Sequence, residues 1–326
     1  MSEEPRQLRD AYGHVALPRF LSGEEFLRVM DQNGVAEALV CTAETCPDLV
    51  ELSRTAVRWP GRFRVAGLPT GASPQERLES VRAQLAAGFF GIRIHESLIV
   101  KEPALLDAMG REGAVPVVVG SDGLGVAAPN LLEFLERYPD SLVLAPHFAS
   151  GGTPEMFHRM PGIDRLFRHP RFGVIFSRHG MFRRSELLDW ARSLLDRTGW
   201  DRAMWGSEYP VALYRDESYA STALWIDGTG LSPTEEERTA YLSGNAQRLI
   251  FSRPAPPAKP LDERWCRRDL KSNAPVWLFP AGTIDLPEEV NRRLVEAFLS
   301  LGGDRTGSYR DFVARTIAEA ATRLEP

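Results

Sequence analysis

The sequence predicts a closed barrel of eight parallel strands, each followed by helix, and three observations carry that expectation. Eight short apolar runs rich in β-branched residues recur between helix-like stretches, the pattern of parallel strands covered by helices. The eight repeats fill about 250 residues, the usual size of a (β/α)8 TIM barrel. An open doubly wound sheet would be expected to carry a Gly-rich phosphate turn after its first strand, and the sequence has none.

Taken in order, strands are expected at 8–15, 35–41, 63–68, 89–95, 115–120, 142–148, 173–177 and 202–205. Between the first two, LSGEEFLRVMDQNG reads as a helix that Ser22 caps and Gly34 stops. A second helix covers 50–59. In SPQERLESVRAQLAAG, Ser73 caps, Pro74 takes the first turn and Gly88 terminates. PNLLEFLERYP follows the fifth strand and is closed by Pro139.

Beyond Phe251 the chain changes character. SRPAPPAKPLDERW carries four prolines and reads as an extended linker. After it, 287–301 and 309–324 repeat apolar residues at helical spacing (Leu294, Phe298 and Leu301; Phe312, Ile317, Ala320 and Leu324), separated by Gly302 and Gly303. The expected organisation is a barrel over 1–252 and a linker with a helical hairpin over 253–326. The hairpin must bury its apolar faces on the barrel's flank, on a second subunit in a homodimer, or as a lid over the rim.

Composition narrows the function classes. The chain has 326 residues, 43% hydrophobic and 25% charged, with a net charge of -5. Mild acidity argues against nucleic-acid binding, which needs concentrated Lys and Arg. No window approaches the run of about 20 apolar residues that spans a bilayer, and the polar start has no hydrophobic signal core, so no membrane contact and a cytoplasmic location are expected. Cys41, Cys46 and Cys266 form no CxxC pair and no even framework, and are expected as free thiols.

In a parallel barrel, chemistry gathers where strands end, because loops there vary without disturbing the packed interior. Those positions hold Tyr12 and His14, Arg93 and His95, Ser121 and Asp122, His147, Arg178 and His179, and Glu208. Four of the six histidines are among them. Plainer readings stand beside this one. Arg93 can pair with a rim carboxylate, His95 and Glu96 can face solvent, Arg178 and His179 can only steer anions, and Gly206 with Tyr209 and Pro210 can simply set a loop angle.

DAYGH at 10–14, GFFGIR at 88–93, APH at 145–147, GSEYP at 206–210 and GNAQRL at 244–249 together resemble the successive signatures of the amidohydrolase-related family. The resemblance spans about 8–252 and leaves the tail uncovered. It implies a distorted TIM barrel and an activity among lactonases, other hydrolases and decarboxylases. The departures matter as much. Tyr12 stands where the family's first His of His-x-His is usual, Gly120 and Ser121 stand where a metal-binding His is frequent, and Glu208 replaces the Asp of Gly-Ser-Asp.

A catalytic zinc typically takes three protein ligands and a water. His14, His147 and Glu208 could supply three, but Tyr12 would first have to lose a proton at about pH 10. No cofactor is therefore expected, with a weakly held zinc as the alternative. The expected arrangement has Glu208 taking a proton from water, His14, His147 and the Tyr12 hydroxyl donating to the oxyanion, and Arg93, with Ser121 and Arg178, binding a small anionic substrate. Glu reaches about 1.3 Å further than Asp. A misplacement of about 1 Å costs on the order of a hundredfold in rate, so the pocket is recut around Glu208 or catalysis is lost. The reading is a hydrolase of a small carboxylated lactone or amide, against a decarboxylase or a non-catalytic barrel that binds a ligand or partner.

Overall fold

In the computed structural model the described residues are 7–17, 20–44, 46–214, 217–254, 256–265, 273–278, 282–303 and 309–323. Eight parallel strands form one sheet in sequential order: β1 (Leu8–His14), β2 (Val35–Cys41), β3 (Phe63–Gly67), β4 (Gly91–His95), β5 (Val115–Val119), β6 (Val143–Ala145), β7 (Phe172–Phe176) and β8 (Ala203–Trp205). The predicted barrel is the observed one. β1 and β8 face each other without a regular ladder, and two backbone bonds close the seam. His14 N donates to Tyr209 O at 2.7 Å, and Glu208 N donates to Tyr12 O at 2.8 Å.

The helices start where capping chemistry places them. Ser22 caps Gly23–Gln32 and Ser73 caps Pro74–Ala86, each in a reciprocal box with a Glu three residues on. Gly34 and Gly88 then leave those helices with φ of 68° and 87°, which glycine adopts without a Cβ clash. Alternation along the strands sends one face inward. Leu39, Val115, Val117, Leu142, Leu144, Ile175 and Met204 fill the barrel. Ala246, Leu249, Ile250 and Phe251 seal its amino-terminal end from the helical run Gln247–Phe251 and the residue before it. Arg93 pairs in register with Val117 and so shares the inner face, above that apolar packing.

Two expectations need correction. The sixth strand does not run to Phe148. It stops at Ala145, and Pro146–Ser150 forms a turn in which His147, Phe148, Ala149 and Ser150 all have positive φ, between 51° and 68°. Pro146 supplies no N–H to continue a ladder. Glu96 does not face solvent either: it is buried, and its Oε1 accepts from Ser121 N at 2.7 Å and Ser121 Oγ at 3.0 Å.

The tail contains the expected helices, Glu288–Ser300 and Tyr309–Thr322, with Leu324 outside the described residues. It also contains an antiparallel pair that the spacing did not suggest, β9 (Asn273–Leu278) and β10 (Gly282–Pro287). Val295, Phe298, Leu299, Tyr309 and Val313 join the apolar shell outside the barrel, on the flank of Gly23–Gln32, where Gln32 Nε2 donates to Leu299 O. The proline-rich segment is pinned as well. Lys259 N donates to Ala87 O, and Leu261 N donates to Ser53 Oγ. Among the described residues no helix is long and apolar enough to cross a membrane. Cys41 and Cys46 are buried, with no disulfide between them, and Cys266 lies outside the described residues.

Gly206 lets β8 approach β1. A Cβ there would lie 2.6 Å from Ile175 Cγ2 and 2.9 Å from Tyr12 Cβ. Gly206→Ala is expected to lower stability by about 1–3 kcal/mol through overpacking, read as a shift of the urea midpoint at unchanged slope.

Candidate active site

Strand ends bring Tyr12, His14, Arg93, His147, Arg178 and Glu208 together at the carboxyl-terminal mouth. The Tyr12 ring meets His14 and His147 edge-on, with centroids 5.1 Å away in both cases. Arg93 Nε donates to the Tyr12 hydroxyl at 3.0 Å. Glu208 is fully buried, and its Oε1 accepts from Arg178 Nε at 2.7 Å, with an Arg178 terminal nitrogen also at 2.7 Å. His147 Nε2 lies 3.1 Å from the same oxygen, close enough to pair but off hydrogen-bond alignment. Ser121 is the one predicted site residue that no contact ties to this group, since its N–H and hydroxyl both serve Glu96.

Three of these residues hold a backbone conformation that L-residues avoid. His147, Arg178 and Glu208 have φ of 58°, 65° and 53°. Each left-handed non-glycine residue costs roughly 1–2 kcal/mol. The surroundings hold them there: His147 N donates to Ser177 Oγ at 2.9 Å, Trp190 Nε1 to Phe148 O at 2.8 Å, and Glu208 N closes the β1 seam. Strain of this kind gathers where geometry serves a site.

Burial sets the protonation states. It holds the His14 imidazole well below its ordinary value and lowers His147 to about 4, with Glu208 opposing both shifts, so both rings are neutral at pH 7. Burial also pushes the Tyr12 hydroxyl up, keeping it a donor, and raises the Cys41 thiol to about 11. That thiol sits 3.5 Å from His14 Nδ1, while His14 Nε2 is buried without a hydrogen-bond partner among the described residues. Two guanidiniums then stand among neutral rings, with Glu208 beside Arg178 and Glu44 within electrostatic reach of Arg93, and their forks suit an anion.

Residues behind the mouth support it. Asp10 is buried, and its carboxylate accepts from Tyr12 N, Ser207 N, Ser207 Oγ and Tyr219 OH at 2.5–3.0 Å. It staples the strand carrying Tyr12 to the turn carrying Glu208. An acidic residue in the middle of a strand expected to be buried was the available signal, because buried charges are paired. His95 caps Glu96–Lys101, its Nδ1 accepting from Ser97 N. His179 packs edge-on to Phe148 and against Trp225.

These side chains do not suit a divalent metal. The carboxylate oxygen such an ion would take already holds two guanidinium nitrogens. A divalent ion there would meet the Arg178 charge, which offsets much of the attraction the carboxylate offers it. Tyr12, held protonated and bonded to Arg93, is a poor fourth ligand. Among the described residues no three His, Cys, Asp or Glu side chains converge as a metal cluster.

The barrel and the motifs at its mouth define an amidohydrolase-type protein, and the chain belongs to the amidohydrolase family, whose model matches residues 2–251. Solved structures share the fold. A 2,6-dihydroxybenzoate decarboxylase from Rhizobium is 14% identical, with 75% of this chain and 98% of that one covered at a TM-score of 0.56. A putative 2-pyrone-4,6-dicarboxylic acid hydrolase from Pseudomonas putida is 18% identical, with 77% and 100% covered at 0.56. A dihydroxybenzoic acid decarboxylase from Polaromonas with bound manganese is 15% identical, with 75% and 97% covered at 0.55. No curated protein matches the sequence.

Asp10 gives the seam a pH signature. Burial pushes its carboxyl from 3.8 up to about 6, against the four donors, so the folded state holds the proton more tightly than the unfolded chain. Its contribution is full below about pH 4 and is lost as pH rises through about 6. Relative to Asp10→Asn, the wild type is expected to lose about 2–3 kcal/mol between about pH 4 and pH 7, measured by urea unfolding of both proteins.

Proposed function

We propose that this protein hydrolyses a small carboxylated lactone or amide without a divalent metal. One observation carries the reading: a buried carboxylate, Glu208, held between the Arg178 guanidinium and the neutral His147 ring, at a mouth that also presents Arg93 and Tyr12. Glu208, covered from bulk solvent, takes a proton from a water admitted with the substrate as that water's oxygen adds to the lactone carbonyl, whose electron pair moves onto oxygen. Tyr12 OH and a neutral histidine N–H donate to that oxyanion, and donors of this kind are worth about 10²–10³ in rate. Collapse breaks the ring C–O bond, and the proton passes from Glu208 to the leaving oxygen. Arg93, with only its Nε engaged by a hydrogen bond among the described residues, offers its outer fork to the substrate carboxylate. The fold neighbours named above for a pyrone dicarboxylic acid and for dihydroxybenzoates support a small carboxylated ring as the substrate class.

The decarboxylase reading draws on the same positive charge, which would stabilise the carbanion left by CO2, and the decarboxylase from Rhizobium matches the fold at the same TM-score as the hydrolase. Full-length protein assayed with 2-pyrone-4,6-dicarboxylate and related carboxylated lactones, and in parallel for CO2 release from dihydroxybenzoates, separates the two. Ring opening without CO2 supports the hydrolase, and CO2 release overturns it in favour of the decarboxylase.

With an active lactone in hand, Glu208→Gln is expected to lower kcat by about 10²–10⁴-fold, as loss of a general base does. Arg93→Met is expected to act mainly on KM, raising it by roughly tenfold or more. Steady-state kinetics on both variants check the assignment.

A further inference from the structure

We propose that Arg178 is a built-in counter-cation, a side chain that neutralises the strand-eight carboxylate in a fold that, in the decarboxylase from Polaromonas, is found with bound manganese. The proposal rests on the metal-free reading above, but it concerns binding and stability, so it can fail while that reading stands.

The geometry is specific. Arg178 lies two residues past the end of β7, and from its left-handed backbone the guanidinium reaches Glu208 beyond the neighbouring strand β8. Two of its nitrogens converge on one oxygen, Oε1, the same atom that His147 Nε2 approaches. Glu208 has no exposure to water, whereas the Arg178 side chain keeps 29% of its own. The carboxylate therefore depends on a protein-supplied positive charge, and the arginine can be reached from the mouth. Arginine suits the task because its charge persists at every physiological pH and its planar fork is preorganised. A metal can be stripped by chelators; a side chain cannot.

A cation that is part of the chain should be replaceable by a small molecule once its side chain is cut away. Arg178→Ala is expected to lower the thermal midpoint of the protein by about 5–10 °C, because it takes a two-nitrogen guanidinium contact away from a buried carboxylate. Millimolar methylguanidinium should then restore a large part of that loss, while leaving the wild type unmoved and exceeding an equal concentration of sodium chloride. In the double variant Arg178→Ala, Glu208→Gln the response should vanish, since no charge remains to be matched. For the wild type, metal analysis after dialysis should find less than stoichiometric manganese and zinc, and neither ion should shift the midpoint. Arg178→Lys serves if the alanine variant does not fold, and should retain most of the stability with no methylguanidinium response. Stoichiometric, stabilising manganese or zinc in the wild type overturns the proposal. So does an alanine variant as stable as wild type, or one that methylguanidinium does not rescue.

Discussion

The Asp10 carboxylate is the constraint on which the rest of the site depends. It lies on the one strand pair without a ladder, and its four donors tie the backbone at Tyr12 to the turn at Ser207. The neighbouring backbone bonds, His14 to Tyr209 and Glu208 to Tyr12, cross the same gap. The interaction that closes the barrel therefore also fixes the distance between the phenol on one side and the carboxylate on the other. Other barrel seams are held by repeated strand hydrogen bonds that tolerate substitution. This one has two backbone bonds and a buried acid whose desolvation opposes its hydrogen bonds, which is why its carboxyl is raised to about 6.

Much of the architecture was legible because it is written in local chemistry. Ser22 and Ser73 each precede a Glu by three residues, which marks helix starts, and β-branched runs such as 115–119 mark strands. The mouth was legible for a related reason: polar side chains interrupt otherwise apolar strands at Tyr12, His14 and Arg93. What was hidden is conformation that no pattern encodes. Four successive left-handed residues from His147 look like the continuation of a strand, because Phe148 and Ala149 are as apolar as Leu144 and Ala145. Glu96 looked like a surface residue because its partner, Ser121, is 25 positions away. The strand pair in the tail was masked by prolines at both ends of a short segment.

The charge pattern and the backbone strain belong to one design. The left-handed residues His147, Arg178 and Glu208 are the three that meet at Oε1. A regular strand end would project alternate side chains up or out, and could not gather three from neighbouring loops onto one atom. The cost is spread over the aromatic packing behind them, where Phe148 stacks on Phe176 at 4.4 Å and Trp190 bonds the Phe148 carbonyl. Rigidity of the outer shell is what keeps the mouth from relaxing into ordinary geometry.

The plug formed by Ala246, Leu249, Ile250 and Phe251 has a kinetic corollary. With the floor of the barrel stoppered by hydrocarbon, traffic is one-way by geometry and two-way by necessity: what enters past the arginines must leave past them. A ring-opened product would carry one more carboxylate than its lactone, and would meet the same cations on the way out.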